Sequence, residues 1–159
     1  MKGKRNRRAL TGLDRRYDVE PTTSIDVRVL ETIPYEYPEQ EQLVEITTDE
    51  FTAVCPYSGL PDFGRITVRY IPLRKLIELR SLKYYLLSYR NVGIYQEHAA
   101  ARILKDLRLL CEPAWMRIEL DYNTRGGLRT VVVVEYKKPG YRVPEFVNRS
   151  ALSKQQVRR

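Results

Sequence analysis

The 159-residue chain has little histidine and little cysteine: one His and two Cys. A zinc site built from so few soft and imidazole ligands needs carboxylate help, and no metal-ligand spacing is visible, so no metal is expected. Cys55 and Cys111 lie far apart in the chain and do not make the framework of a disulfide-stapled secreted domain. No apolar run approaches the ~20 residues needed to span a bilayer. The basic N-terminus lacks the apolar core of a secretory signal. Internal repeats and low-complexity segments are missing too. These absences set the expectation of a cytoplasmic protein with no membrane partner.

Charge is plentiful but unevenly placed. The net charge is +8. Lys2, Lys4, Arg5, Arg7 and Arg8 crowd one end, and Arg149, Lys154, Arg158 and Arg159 the other, which leaves residues 9–148 close to neutral. The basicity therefore belongs to the ends, where solubility or weak nucleic-acid contact accounts for it. It does not make the middle a nucleic-acid-binding domain, and no stable nucleic-acid partner is expected. A hydrophobic fraction of 43% suffices for one core. The expected layout is a flexible basic leader over 1–22, one folded domain over 23–140 and a polar basic tail over 141–159.

Periodicity orders the middle. Ile25, Val27 and Val29 alternate with polar neighbours, which predicts a half-buried strand over 23–31. Leu43, Val44 and Ile46 suggest a short extended piece. Residues 65–71 alternate again, with Ile66, Val68 and Tyr70 on one face and Pro72 as the limit. Leu79, Leu82 and Leu86 then follow a helical period that ends near Asn91 and Gly93. Ala100, Ile103, Leu104, Leu107, Leu110 and Cys111 repeat that period until Pro113 stops it, which makes Cys111 a packing residue. Met116, Ile118, Leu120 and Tyr122 alternate as a strand, residues 123–127 read as a hairpin loop, and Val131–Val134 reads as a strand buried on both faces, one of them by another subunit. The order strand, strand, helix, helix, strand, strand predicts an α+β domain: an antiparallel four-stranded sheet with two helices on one face. Open sheet edges invite copies of the chain to join.

The most distinctive stretch is 51–64. Cys55 enters a segment punctuated by Pro56, Gly59, Pro61 and Gly64 that leads to Asp62. A rigid loop that brings a thiol near a carboxyl suits covalent chemistry. On residue types alone the plainer reading, a buried cysteine and a turn-capping aspartate, outweighs it. Two further stretches shift the balance: Ile77-Glu78-Leu79-Arg80-Ser81-Leu82-Lys83-Tyr84-Tyr85 at the first helix, and Tyr95-Gln96-Glu97-His98 at the second.

Taken with Arg125-Gly126-Gly127, these stretches resemble the NADPH-dependent 7-cyano-7-deazaguanine reductases, the nitrile reductases of queuosine biosynthesis. The loop Cys55-Pro-x-x-Gly-x-Pro-Asp62-Phe63 and the helix segment Glu78–Lys83 with its following aromatic carry the resemblance, over roughly residues 24–140. It implies the short, single-module form and the tunnelling fold, in which ββααββ subunits ring up into barrels. Sites then lie between subunits, and the assembly is a decamer of two stacked pentamers. It implies Cys55 as the nucleophile toward a deazapurine nitrile and Asp62 as the proton donor, with the Asp62 pKa raised by burial. Two NADPH would be used through a thioimide and an imine. Glu97, with Gln96, Ile77, Glu78 and Leu79, corresponds to the substrate-contacting residues, and Arg80, Lys83 and Arg125 to the cofactor-phosphate contacts. For each basic residue a solvated surface charge is the plainer alternative.

Two departures stand out. The family histidine before the substrate glutamate is Gln96 here, and the single histidine, His98, follows the glutamate instead. On a helix, positions 96 and 98 point in different directions. Arg80 stands where lysine is usual, which keeps charge and changes geometry. Two other readings remain: an amidinotransferase using the same thioimide on nitrile-modified tRNA, and a non-enzymatic RNA-binding or scaffold oligomer that uses the basic ends.

Overall fold

Two eleven-residue strands form the spine of the molecule. In the computed structural model, which describes residues 19–147, they are β2 (Val44–Val54) and β3 (Pro61–Ile71). The other elements are β1 (Thr32–Pro34), β4 (Lys75–Ile77), α1 (Leu79–Leu87), α2 (Gln96–Cys111), β5 (Trp115–Tyr122) and β6 (Val131–Lys137). The main sheet has the order β2-β3-β5-β6 and is antiparallel throughout. β1 and β4 make a separate antiparallel pair. One face of the main sheet carries the core. Phe51 and Ala53 of β2, Ile66, Val68 and Tyr70 of β3, and Met116, Ile118, Leu120 and Tyr122 of β5 are buried against α1 and α2. The opposite face is charged and laced across strands, with Arg69 2.6 Å from Glu45 and 3.5 Å from Glu119.

The ββααββ order within the main sheet is the expected one, but its first strand is not where alternation put it. Residues 23–31 form two 3-10 turns, Thr22–Ser24 and Val27–Val29. Their amides are satisfied locally: the Asp26 carboxylate accepts from the Arg28 N–H at 3.2 Å, and the Leu30 N–H donates to the Val27 carbonyl at 3.2 Å. Such local bonding competes with a strand ladder. The alternation survives as burial only, with Ile25 and Leu30 in the core and Val27 and Val29 packed at its edge. The first sheet strand is β2, which is far longer than the short piece read at 43–46. Its middle, Thr47 to Glu50, is polar, and its register shifts between Thr48 and Phe51, a bulge that breaks the period. β3 begins at Pro61 rather than Arg65, so Asp62 belongs to a strand and not to the preceding loop.

In α1 the buried residues are Ser81, Leu82 and Tyr85, and Leu79, placed on the apolar face by its spacing, is 61% exposed. The helix ends at Leu87 with Ser88 as its cap, short of Asn91 and Gly93. Gly93 serves a different purpose: a Cβ there would collide with the Val19 side chain and press on Pro56 at 3.4 Å. In α2, Ala100, Ile103, Leu107 and Cys111 are buried as the helical period requires, and Glu112 closes the helix in the left-handed region at φ 47°. The Cys111 thiol donates to the Leu107 carbonyl at 3.2 Å, and burial pushes its pKa up to about 12, an inert packing cysteine. In β6, Val132 and Val134 pack on the core, whereas Val131 and Val133 are exposed at 49% and 42%. The two-sided burial expected of this strand is therefore absent within a single chain.

Most of the expected leader and tail lies outside the described residues. At the described margins, the Glu20 N–H donates to the Asn91 carbonyl at 2.9 Å, and Val147 is buried with Ile71, Ala114 and Trp115. Among the described residues no helix is long and apolar enough to cross a membrane.

α1 and α2 are joined by a buried polar cluster. The Tyr85 hydroxyl donates to Asp106 at 2.8 Å and lies 2.8 Å from the Tyr89 hydroxyl, and Arg102 Nε donates to the same carboxylate oxygen at 2.7 Å. Asp106→Ala strands the Tyr85 hydroxyl and the partly exposed guanidinium. It is expected to cost about 2–3 kcal/mol in urea unfolding. A loss below about 0.5 kcal/mol, the range of ordinary surface substitutions, would show that the helix pair does not depend on this carboxylate.

Candidate active site

Cys55 stands immediately after β2, at the first position of a tight loop. Its N–H donates to the Leu60 carbonyl at 2.9 Å, and its carbonyl accepts from the Gly59 N–H at 2.8 Å. Gly59 takes a left-handed φ of 69°, which permits so short a closure. The loop is docked on the segment after α1: the Val54 N–H donates to the Val92 carbonyl, and the Ile94 N–H to the Val54 carbonyl, both at 3.0 Å. Gly93 lies between these contacts, where a Cβ would collide with the Val19 side chain.

The Cys55 side chain is 9% exposed. Burial works to raise its pKa, but hydrogen bonds from the Ser58 hydroxyl, the Ser58 and Tyr57 N–H groups and the Arg125 guanidinium outweigh it, and the thiol titrates at about 7. A thiol so poised is substantially thiolate near neutrality, which is what nucleophilic attack needs.

Asp62, 5% exposed, is the second residue of β3, opposite Ala53 of β2. Its Oδ1 lies 2.8 Å from Arg125 Nη1. Arg125 projects from the β5–β6 hairpin, where its N–H and the Leu128 N–H are exchanged with each other's carbonyls at 2.9 and 3.1 Å. The Asn123 N–H ties the hairpin base to the Phe63 carbonyl at 2.8 Å. Thus the loop after β2, the start of β3 and the β5–β6 hairpin meet at one end of the sheet, where the guanidinium pairs with the carboxylate and adds to the groups that lower the thiol's pKa.

Glu97 and Gln96 join this end from the first turn of α2. The link is Tyr122, a residue read from the sequence only as the inward-facing end of β5. It is 2% exposed, and its hydroxyl donates to the Gln96 carbonyl at 3.4 Å. Burial raises its pKa, and the nearby charges of Asp62 and Glu97 raise it further, so it stays neutral near both carboxylates. Its place as the last buried residue before the hairpin was the available signal. His98 is exposed, with its ring edge-on to Tyr95 at 5.7 Å between centroids.

The second group of expected site residues lies elsewhere. The Ile77 N–H donates to the Tyr70 hydroxyl at 3.0 Å, and Tyr70 pairs with Val44, the end of β2 opposite to Cys55. At ~3.3 Å per residue, the length of β2 separates the two ends by roughly 30 Å. Ile77 and Glu78 therefore stand toward the far end of β2 from Cys55, and α1 runs back along that strand as far as Phe51. Glu78 is the N-cap of α1: its carboxylate accepts from the Ser81 N–H at 2.6 Å and the Arg80 N–H at 3.0 Å, bonds that lower its pKa. Leu79 and Lys83 line an open groove of about 400 Å³ shared with Ile46, Thr48, Glu50 and Phe51 of β2. Arg80 and Lys83, both exposed and three residues apart, present a guanidinium and an ammonium to solvent, donors suited to phosphate oxygens.

The model of the family described as QueF-like protein matches residues 61–141. The NADPH-dependent 7-cyano-7-deazaguanine reductase of Caldicellulosiruptor bescii is 56% identical over 124 residues, 78% of this chain and 95% of the relative. The protein of the same name from Caldanaerobacter subterraneus subsp. tengcongensis is 53% identical over 128 residues, 80% of this chain and 96% of the relative. Among solved structures, the archaeosine synthase QueF-Like in its apo form superposes with a TM-score of 0.57 at 26% identity, covering 64% of this chain and 96% of that one. The shared α+β architecture is consistent with the tunnelling fold that the resemblance implies.

The two cysteines should separate cleanly on alkylation. With iodoacetamide, Cys55 modification is expected to rise with pH through a midpoint near 7 while Cys111 stays unmodified in the folded protein, read by peptide mass. A Cys55 midpoint near that of a free thiol, about 8.5, would show that the loop and Arg125 do not activate the sulfur.

Proposed function

The chain belongs to the NADPH-dependent 7-cyano-7-deazaguanine reductase family, and on that premise we propose that it reduces the nitrile 7-cyano-7-deazaguanine to the aminomethyl product in queuosine biosynthesis. The observation that carries this reading is the Cys55 thiol, titrating at about 7 and sharing Arg125 with the buried Asp62.

A nitrile carbon is electrophilic, and the thiolate of Cys55 is the group positioned to attack it. The sulfur–carbon bond forms as one carbon–nitrogen π bond breaks, and that electron pair goes to nitrogen. The nitrogen takes a proton, which Asp62 delivers, having received it from the departing thiol proton or from solvent. The product of this step is a thioimide on Cys55, neutral at sulfur. Glu97 accepts from adjacent N–H donors of the deazapurine, and Tyr122 stays neutral near it and Asp62. Arg80, Lys83 and Arg125 fit the phosphates of NADPH by charge and exposure. When bound, NADPH supplies the hydride for each of the two reductions, four electrons in all. After the first reduction Cys55 leaves as thiolate, which the hydrogen bonds from Ser58 and Arg125 favour.

Because Ile77 and Glu78 stand toward the end of β2 opposite Cys55, whereas Glu97 stands at the Cys55 end, we assign a complete site to two copies of the chain. The unpaired edges β2 and β6 and the exposed Val131 and Val133 support such joining, in a cytoplasmic decamer of two pentamers. The likeness to the archaeosine synthase keeps a second reading in view, an amidinotransferase adding ammonia to a nitrile on tRNA. The exposed Arg80 and Lys83 favour the reductase.

NADPH absorbance distinguishes these readings. Wild-type protein is expected to consume NADPH only when the nitrile is present, and Cys55→Ala to lower turnover at least about 10³-fold. Consumption of nitrile-modified tRNA and ammonia without NADPH would overturn the reductase in favour of the second reading. Salt-sensitive RNA binding with no turnover of either substrate would overturn both.

A further inference from the structure

At the end of the sheet remote from Cys55, cations outnumber carboxylates. β3 starts beside the catalytic loop and ends at Ile71, roughly 30 Å away at ~3.3 Å per residue. Beyond Ile71 an open groove of about 750 Å³ lies between the β3–β4 connection, the last turn of α2 and the end of β6. That volume falls within the ~300–1,000 Å³ of small-molecule sites. We propose that this groove is a second ligand site, one that takes the phosphate groups of a nucleotide. It stands whether or not the reductase reading holds.

Charge decides what the groove can hold. Arg74, Lys75, Arg108 and Lys138 line it, against the single carboxylate of Glu112. Glu112 pairs with Lys75 at 3.1 Å, and Arg74, Arg108 and Lys138 make no ion pair among the described residues. On the sheet the pattern is the reverse: Arg65, Arg69, Arg117 and Arg129 each have a carboxylate partner. The carboxyl end of α2 adds a partial negative charge of about one half, too little to balance three whole cations. Unbalanced like charges repel one another, and a bound anion relieves that repulsion.

The walls of the groove are fixed in advance. The Ala114 N–H donates to the Ile71 carbonyl at 3.0 Å and the Lys138 N–H to the Ala114 carbonyl at 2.9 Å, which ties the turn after α2 to the ends of β3 and β6. The Tyr35 N–H holds the Arg74 carbonyl at 2.8 Å. Arg108 lies over the Tyr136 ring, 4.7 Å from its centroid, a cation–π contact that restrains the guanidinium. Its N–H donors offer the fork that phosphate oxygens accept. Leu109, 60% exposed, and Pro113 add apolar wall, which suits a ligand that carries a ring as well as phosphate. None of Arg80, Lys83 and Arg125 lines this groove. Two sources share the chemistry, a free nucleotide and the phosphates of the dinucleotide cofactor.

Equilibrium dialysis of the full chain with ADP and with NADP⁺, each alone and in competition, tests the proposal. Wild type is expected to bind one ADP per chain. Arg108→Gln combined with Lys138→Gln is expected to weaken ADP binding at least about tenfold, the loss of charge-assisted hydrogen bonds. Both side chains are exposed, so circular dichroism is expected to show the fold unchanged. Arg80→Gln combined with Lys83→Gln is expected to leave ADP binding intact. ADP that NADP⁺ does not displace identifies a free nucleotide as the ligand. Displacement by NADP⁺, with both ligands weakened by the groove substitutions, identifies the cofactor as the source of the phosphate. ADP binding that survives the groove substitutions overturns the proposal, as does the absence of ADP binding to wild type. A failure of nitrile-dependent NADPH consumption counts against the reductase reading alone, because ADP binding is read without turnover.

Discussion

The register of β3 between its two neighbours is the constraint from which the chemistry follows. Asp62 stands opposite Ala53 of β2, two residues before Cys55, and Gly64 stands opposite Tyr122 of β5, three residues before Arg125. Antiparallel pairing on both sides thus delivers a thiol from one flank and a guanidinium from the other to a single carboxylate. Strand side chains alternate in direction, so a slip of one residue would turn Asp62 to the opposite face of the sheet and separate all three. The apolar alternation of Ile66, Val68 and Tyr70, buried on the helix-covered face, fixes that register. The core is in this sense what aligns the site.

The same sheet sets a limit. Ile77 and Glu78 stand toward the end of β2 opposite Cys55, and α1 runs back along the strand to Phe51. The sheet's edges are unpaired among the described residues, and β6 leaves Val131 and Val133 uncovered. The polar cluster of Tyr85, Tyr89, Asp106 and Arg102 has a separate role: it fixes α1 to α2, and so the position of Glu97 relative to the sheet.

What could be read from the residues depended on how cleanly a period was written. α2 and β5 follow from uninterrupted spacing, and the hairpin from its paired glycines. β2 was obscured because its middle is polar and carries a bulge, and residues 23–31 misled because their alternation is real while their amides bond locally. Leu79 kept a helical spacing yet faces outward, since Ser81, Leu82 and Tyr85 carry the buried face. At the site, the Cys55 loop was visible through its fixed pattern of Pro and Gly. The pairing of Asp62 with Arg125 and the interposed Tyr122 were not, because they join positions some sixty residues apart through sheet register. Gly93, near which the helical period was expected to end, lies past the helix, and its lack of a side chain makes room for Val19.

The central claim is a transient bond between the Cys55 sulfur and a nitrile carbon. Intact-mass measurement of the protein mixed with 7-cyano-7-deazaguanine in the absence of NADPH tests it most directly. The account predicts a gain of one substrate mass, carried by the peptide that contains Cys55, lost in Cys55→Ala and discharged when NADPH is added. A protein that turns over the nitrile while Cys55 remains unmodified, or that carries the adduct on Cys111, would contradict it.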